Sequence, residues 1–110
     1  MYIVLVKHYL TIDGIGFFIN EWFPKVHKIM SQQEGFISLT HESHQDYGDC
    51  VHVISKFKDL STLELWGYSQ EHDALVNALD TVRSKNYWEY AVIDNARAAI
   101  NWQKVLVELG

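Results

Sequence analysis

The chain has 110 residues, 48% hydrophobic and 21% charged, with a formal net charge of −5. That length fits one domain, residues 1–110, and excludes a two-lobed enzyme with separate cofactor and substrate domains. The composition is neither disordered nor collagenous, and the scattered Lys and Arg form no stripe that could track a phosphate backbone, so no nucleic-acid partner is expected.

Residues 2–10 (YIVLVKHYL) are β-branched and aromatic, which predicts a strand. Both alternating faces of its first half are apolar, so the strand should be covered on both sides. Its apolar run ends at Lys7 and His8, too short for a signal segment or a membrane span. The lone Cys50 has no internal disulfide partner, which fits a reducing compartment. A cytoplasmic protein with no membrane partner is the expectation.

Asp13-Gly14 is expected to break the pattern, and a helix to run over 15–33 with Phe18, Trp22, Val26 and Ile29 on one stripe. Pro24 should kink it and Gly35 stop it. Phe17 lies opposite that stripe, and a single buried face does not account for it. Residues 36–44 and 50–58 predict a hairpin around Asp46-Tyr47-Gly48-Asp49. Ser61-Thr62-Leu63-Glu64 has the spacing of a capping box and opens a helix over 61–67. Ser69 caps a further helix over 70–84, with His72, Leu75, Val76 and Leu79 on one stripe. Residues 87–93 predict the last strand. Asp94 caps a C-terminal helix over about 95–109, whose inward residues include Trp102.

The order is βαββαβ plus a C-terminal helix. It predicts an α+β, ferredoxin-like fold: a four-stranded antiparallel sheet with helices on one face. The other face is expected to be bare and to meet a second subunit in a C2 homodimer.

Four segments then belong together: Phe18, Trp22 and Pro24 as F-x-x-x-W-x-P; Glu34 to Phe36; Asp49 to Phe57; and L-x-x-W-x-x-S-x-E-H from Leu63 to His72. In that order and spacing the chain, over roughly residues 2–93, resembles the antibiotic biosynthesis monooxygenase family of the dimeric α+β barrel superfamily. The resemblance implies a homodimer and a pocket in each subunit between sheet and helices. It also implies a small cofactor-independent monooxygenase that oxidises a planar aromatic or quinol-like compound with O₂. Family members often carry Trp and His in the W-x-x-S-x-E-H stretch, so Trp66 and His72 are the candidate catalytic residues. Trp66 could stack on a planar substrate and offer an N–H, and His72 could take a phenolic proton. Phe18, Trp22, Tyr68 and His8 are the candidate substrate-binding residues.

Two other readings stand beside this one. Haem-degrading members of the superfamily share the helix Trp, matched by Trp66. They place their axial His about three turns later, where this chain has Val76, and an Asn on strand one, where it has Lys7 and His8. Haem is therefore the alternative cofactor, with His72 the available ligand, and no cofactor is the first expectation. The third reading is a non-catalytic dimeric domain that binds a small hydrophobic ligand.

The cluster His41, His44, Asp46, Asp49 and His52 lacks metal-ligand spacing: His41 and His44 have an odd offset, which on a strand reverses the face. No metal site is predicted there. Cys50 and His52 share the face assigned to the subunit interface, and His27 should face solvent.

Overall fold

The computed structural model describes residues 1–45 and 49–93. The turn expected at 46–48, and Asp94 with the helix expected over 95–109, lie outside the described residues.

Strand β1 (Tyr2–Tyr9) pairs antiparallel with both β3 (Asp49–Phe57) and β4 (Trp88–Ile93), and β2 (Phe36–Gln45) pairs with β3. The sheet order is β2-β3-β1-β4, which is the split βαβ arrangement. On the face toward the helices, Val51, Val53 and Phe57 of β3 and Leu39 of β2 join one buried core with Phe18, Trp22, Val26, Met30, Trp66, Leu75 and Leu79. On the opposite face Ile3, Leu5, Cys50, His52 and Ile54 are buried as well. That corrects the expectation of a bare outer face: its apolar side chains are already buried within one chain. Strand one is covered on both sides, as its two apolar faces predict.

The first helical segment begins earlier than expected. Thr11 caps α1 (Ile12–Phe17), its hydroxyl accepting from the Gly14 N–H at 3.1 Å. Asp13-Gly14 therefore sits inside the first turn rather than breaking the chain. Glycine is needed for close approach: a Cβ on Gly14 would lie 2.7 Å from the Val82 carbonyl oxygen. The backbone widens into a π-turn over Phe18–Trp22 and resumes as α2 (Phe23–Met30). Pro24 explains the place of the widening. It has no N–H to give, and its ring would crowd the carbonyl four residues back in a regular α-helix. The Phe23 N–H instead reaches Phe18 O, five residues back. The buried stripe becomes Phe18, Trp22, Val26 and Met30, an even four-residue step, and Ile29 is only half-buried. Phe17 also packs against the core, so two neighbouring Phe residues both turn inward around the wide turn.

Gly35, at φ 79°, turns the chain from α2 into β2. There the left-handed backbone and the nearness of Thr62 both exclude a side chain. Helix α3 (Leu60–Gly67) is capped by Asp59, not by Ser61. The Thr62 N–H and the Ser61 hydroxyl both donate to Asp59 Oδ1, each at 2.9 Å. These bonds, the Thr62 backbone N–H foremost, hold the exposed carboxyl below its usual range.

Ser69 caps α4 (Gln70–Asn77) as expected, but the helix stops well short of residue 84. The last-turn carbonyls of a helix need outside donors. Here Trp22 and Arg83 supply them to Leu75 and Val76, and a single 3₁₀ turn, Asp80–Val82, follows. Among the described residues no helix is long and apolar enough to cross a membrane.

Candidate functional site

Between the helices and the sheet lies a narrow, partly open cleft of about 80 Å³. Val4, Val6, Leu39 and Val53 form its floor; Trp22 and Val26 come from the first helical segment, and Trp66 and Leu75 from α3 and α4. Its titratable lining groups are His8, His72, Tyr87 and Glu89.

His8 is at the end of β1, where the strand turns polar. Its ring is 2% exposed and packs edge-on to Trp22 at 5.5 Å, with Tyr87 at 5.9 Å. The chain leaving β1 is tied to the segment after α4. Leu10 bridges Arg83, the Thr11 N–H donates to Val82 O at 2.9 Å, and the Ser84 N–H donates to Tyr9 O at 3.0 Å. This clasp brings Arg83 beside His8 across 75 residues of sequence. The guanidinium uses all three of its nitrogens: Nη1 donates to His8 Nδ1, Nη2 to Val76 O and Nε to Asp80 Oδ1, each at 2.9 Å. Its side chain is 7% exposed, and its planar head lies 4.8 Å from the Tyr87 ring centre. Arg cannot give up its charge. Burial, and then the Arg83 charge, pull the His8 pKa down from 6.5 to about 3.

His72 is held differently. It is in the first turn of α4, with its side chain 27% exposed and its ring edge-on to Trp66 at 5.6 Å. Its Nδ1 lies 3.1 Å from Asp73 Oδ1. A carboxylate only accepts, so that contact places a proton on Nδ1 and leaves Nε2 of the neutral ring as an acceptor. At His8 the Arg83 donor requires the reverse: Nδ1 accepts, and Nε2 carries the proton.

The structure brings together four of the six residues singled out in the sequence: Trp66, His72, Trp22 and His8 all line the cleft. Two expectations are corrected. Tyr68 follows the last turn of α3 and is 84% exposed, outside the cleft. Phe18 is fully buried behind the wall, stacked on Trp22 at 5.0 Å and edge-on to His41 at 5.5 Å. The four-residue step of the π-turn turns it to the core. Trp22 can present a ring but not a donor, because its indole N–H is committed to Leu75 O.

Arg83 was missed in the sequence, where it counted as one scattered cation. The i, i+3 spacing of Asp80 and Arg83 was a weak local signal; nothing in the sequence joins either to His8. Among the described residues no three His, Cys, Asp or Glu side chains gather as a metal site would require. His27 faces solvent as predicted.

No protein-family profile and no curated protein matches the chain in sequence. Solved structures do. A cofactor-independent oxygenase, SnoaB of Streptomyces nogalater, aligns with a TM-score of 0.73 at 12% identity, over 91% of this chain and 96% of that one. The monooxygenase ActVA-Orf6 of Streptomyces coelicolor, solved with nanaomycin D, aligns at 0.75 and 14% identity, over 90% and 89%. A candidate antibiotic biosynthesis monooxygenase of Deinococcus radiodurans aligns at 0.75 and 11%, over 92% and 97%. The chain has the fold of the antibiotic biosynthesis monooxygenases. At these identities the likeness concerns the fold.

Proposed function

We propose that the chain is a small cofactor-independent monooxygenase acting on a planar aromatic or quinol-like compound. The observation that carries this reading is an apolar cleft, floored by aliphatic side chains and walled by Trp22 and Trp66, with an acceptor imidazole, His72, beside Trp66. The fold likeness to SnoaB and ActVA-Orf6 supports it.

The chemistry asks little of the protein. In an anthrone-type substrate a methylene becomes a carbonyl. One oxygen atom of O₂ enters the product, and the other leaves as water with the two methylene hydrogens. The methylene carbon loses four electrons and O₂ gains four, so no outside reductant is needed. The protein must remove a proton to make an electron-rich anion and hold that anion flat in a dry site. His72 Nε2 takes the proton, Asp73 fixes the ring, and Trp22, Trp66 and His8 position the substrate. A homodimer and a cytoplasmic location belong to the same proposal.

O₂ uptake with a panel of hydroquinones and anthrones tests the reading. Wild-type protein should exceed a Trp66→Ala, His72→Ala double variant. Equal uptake refutes it.

Haem keeps one supporting observation, the His72–Asp73 contact, because a carboxylate behind an imidazole suits an axial ligand. His8 does not fit that role: the guanidinium on its Nδ1 withdraws electron density instead of adding it. Haemin titration decides: a shifted Soret band at one equivalent, lost in His72→Ala, supports haem, and no shift removes it.

A further inference from the structure

The two imidazoles of the cleft have opposite partners, and only one of them is a plausible base. We infer that His8 is a permanently neutral hydrogen-bond donor, locked by Arg83 with its proton on Nε2, and that it makes the cleft select a planar hydroxyaromatic bound as its oxyanion. This rests on the cleft being the substrate site, as proposed above, and adds the ligand's charge state and the roles of His8 and Arg83.

The argument starts from donors and acceptors. Arg83 has only N–H groups to give, so His8 Nδ1 must be the acceptor, and a neutral ring then carries its proton on Nε2. The lock is rigid at the Arg83 end. Asp80 and the Val76 carbonyl hold the other two guanidinium nitrogens, and the Leu10–Arg83 bridge fixes the backbone. Protonating His8 would set a second cation 2.9 Å from the first in a site almost closed to water. Its low pKa, about 3, agrees. A base so weak does not compete for a phenolic proton at neutral pH, whereas a neutral imidazole N–H backed by a fixed positive charge stabilises an oxyanion. Tyr87 faces the His8 ring from the segment before β4, and Phe18 and Trp22 face it from the first helical segment without a charge. His72 and Glu89 are the other titratable groups of the lining. The division of labour follows: His72 accepts the proton, and His8 holds the oxygen that has lost it. Arg83 is a positioning residue that acts through His8.

Long-range ¹H–¹⁵N correlation of the histidine rings, from pH 8 down to 4.5, tests the lock on wild-type protein without a ligand. The expected result is a His8 ring with Nδ1 unprotonated and Nε2 protonated throughout, which becomes a tautomer mixture in Arg83→Met. A wild-type His8 that titrates near pH 6.5, or carries its proton on Nδ1, overturns the inference. The ligand half is tested with 4-nitro-1-naphthol, whose anion has its own visible band, against its methyl ether. Wild-type protein should lower the bound naphthol's apparent pKa by about one unit relative to His8→Leu, a tenfold preference for the anion. His8→Gln, which restores an N–H donor, should recover part of it. Equal affinity for naphthol and ether, or binding of neither, overturns the ligand assignment. Naphtholate preference without O₂ uptake on any substrate refutes the oxygenase reading and leaves this one standing. O₂ uptake with a titrating His8 does the reverse.

Discussion

Trp22 donates its indole N–H to the Leu75 carbonyl at 2.7 Å, tying the π-turn to the C-terminal turn of α4. The bond closes one wall of the cleft and satisfies a carbonyl that the helix leaves free, since the Leu79 N–H goes to Val76 O. Trp22→Phe keeps a ring and loses the donor. It should cost about 1–3 kcal/mol, the range for stranding a buried polar group, as read by urea denaturation. Because Trp22 walls the cleft and takes no proton, the change should also raise KM more than it lowers kcat.

Acid should unfold this protein partly through His8. The unfolded ring takes a proton near pH 6.5 and the folded ring only near 3. Between those values the unfolded state binds more protons. The stability is therefore whole above pH 6.5 and falls as pH drops toward 3, by up to about 1.4 kcal/mol per pH unit. Chemical denaturation at pH 7 and pH 5 should show a larger loss for wild type than for His8→Gln. Equal losses would mean that His8 is accessible to protons in the native state.

For catalysis, His72→Gln should lower kcat by about 10²–10⁴, the usual worth of a positioned base. Asp73→Asn should cost less, about tenfold, because the exposed Asp73 only orients the ring. Steady-state O₂ uptake separates them. A His72→Gln variant with wild-type kcat would move the proton acceptor elsewhere.

Gly35→Ala should destabilise by more than the ~1 kcal/mol of a left-handed backbone alone, because its methyl also meets Thr62. A Gly35→Ala, Thr62→Ala pair, which removes Oγ1 and Cγ2 of Thr62, should lose less than the sum of the two single changes, measured as midpoint shifts in urea.

A homodimer should sediment as such at micromolar concentration. A monomer there would remove it from the proposal, and the burial of Ile3, Leu5, Cys50 and Ile54 within one chain makes the monomer viable in itself.

The sequence made the elements of the sheet legible because β-branched alternation is local, and β1, β2 and β3 match their expected bounds within a residue. Trp22, Trp66, His72 and His8, singled out there, line one cleft. Two of the failures share a cause, a partner far along the chain: the end of α4 is set by Trp22 and Arg83, and the role of Arg83 by His8. The caps of α1 and α3 were local signals, Thr11 and Asp59, passed over for Gly14 and Ser61. Tyr68 failed for a different reason. One residue past a helix end, the direction of a side chain follows the cap and not the stripe.

The π-turn makes the first helical segment a mechanism with a set phase. Residues before Phe18 and after Trp22 obey two different helical wheels, joined by one surplus residue. Deleting a single residue there, such as the exposed Ile19, would turn the five-residue bond from Phe23 to Phe18 into an ordinary four-residue one and leave Val26 and Met30 facing the core. The same deletion inside α2 has no surplus to draw on and would rotate the residues after it by about 100°. Loss of one residue within the π-turn should therefore damage the protein less than loss of one residue within α2.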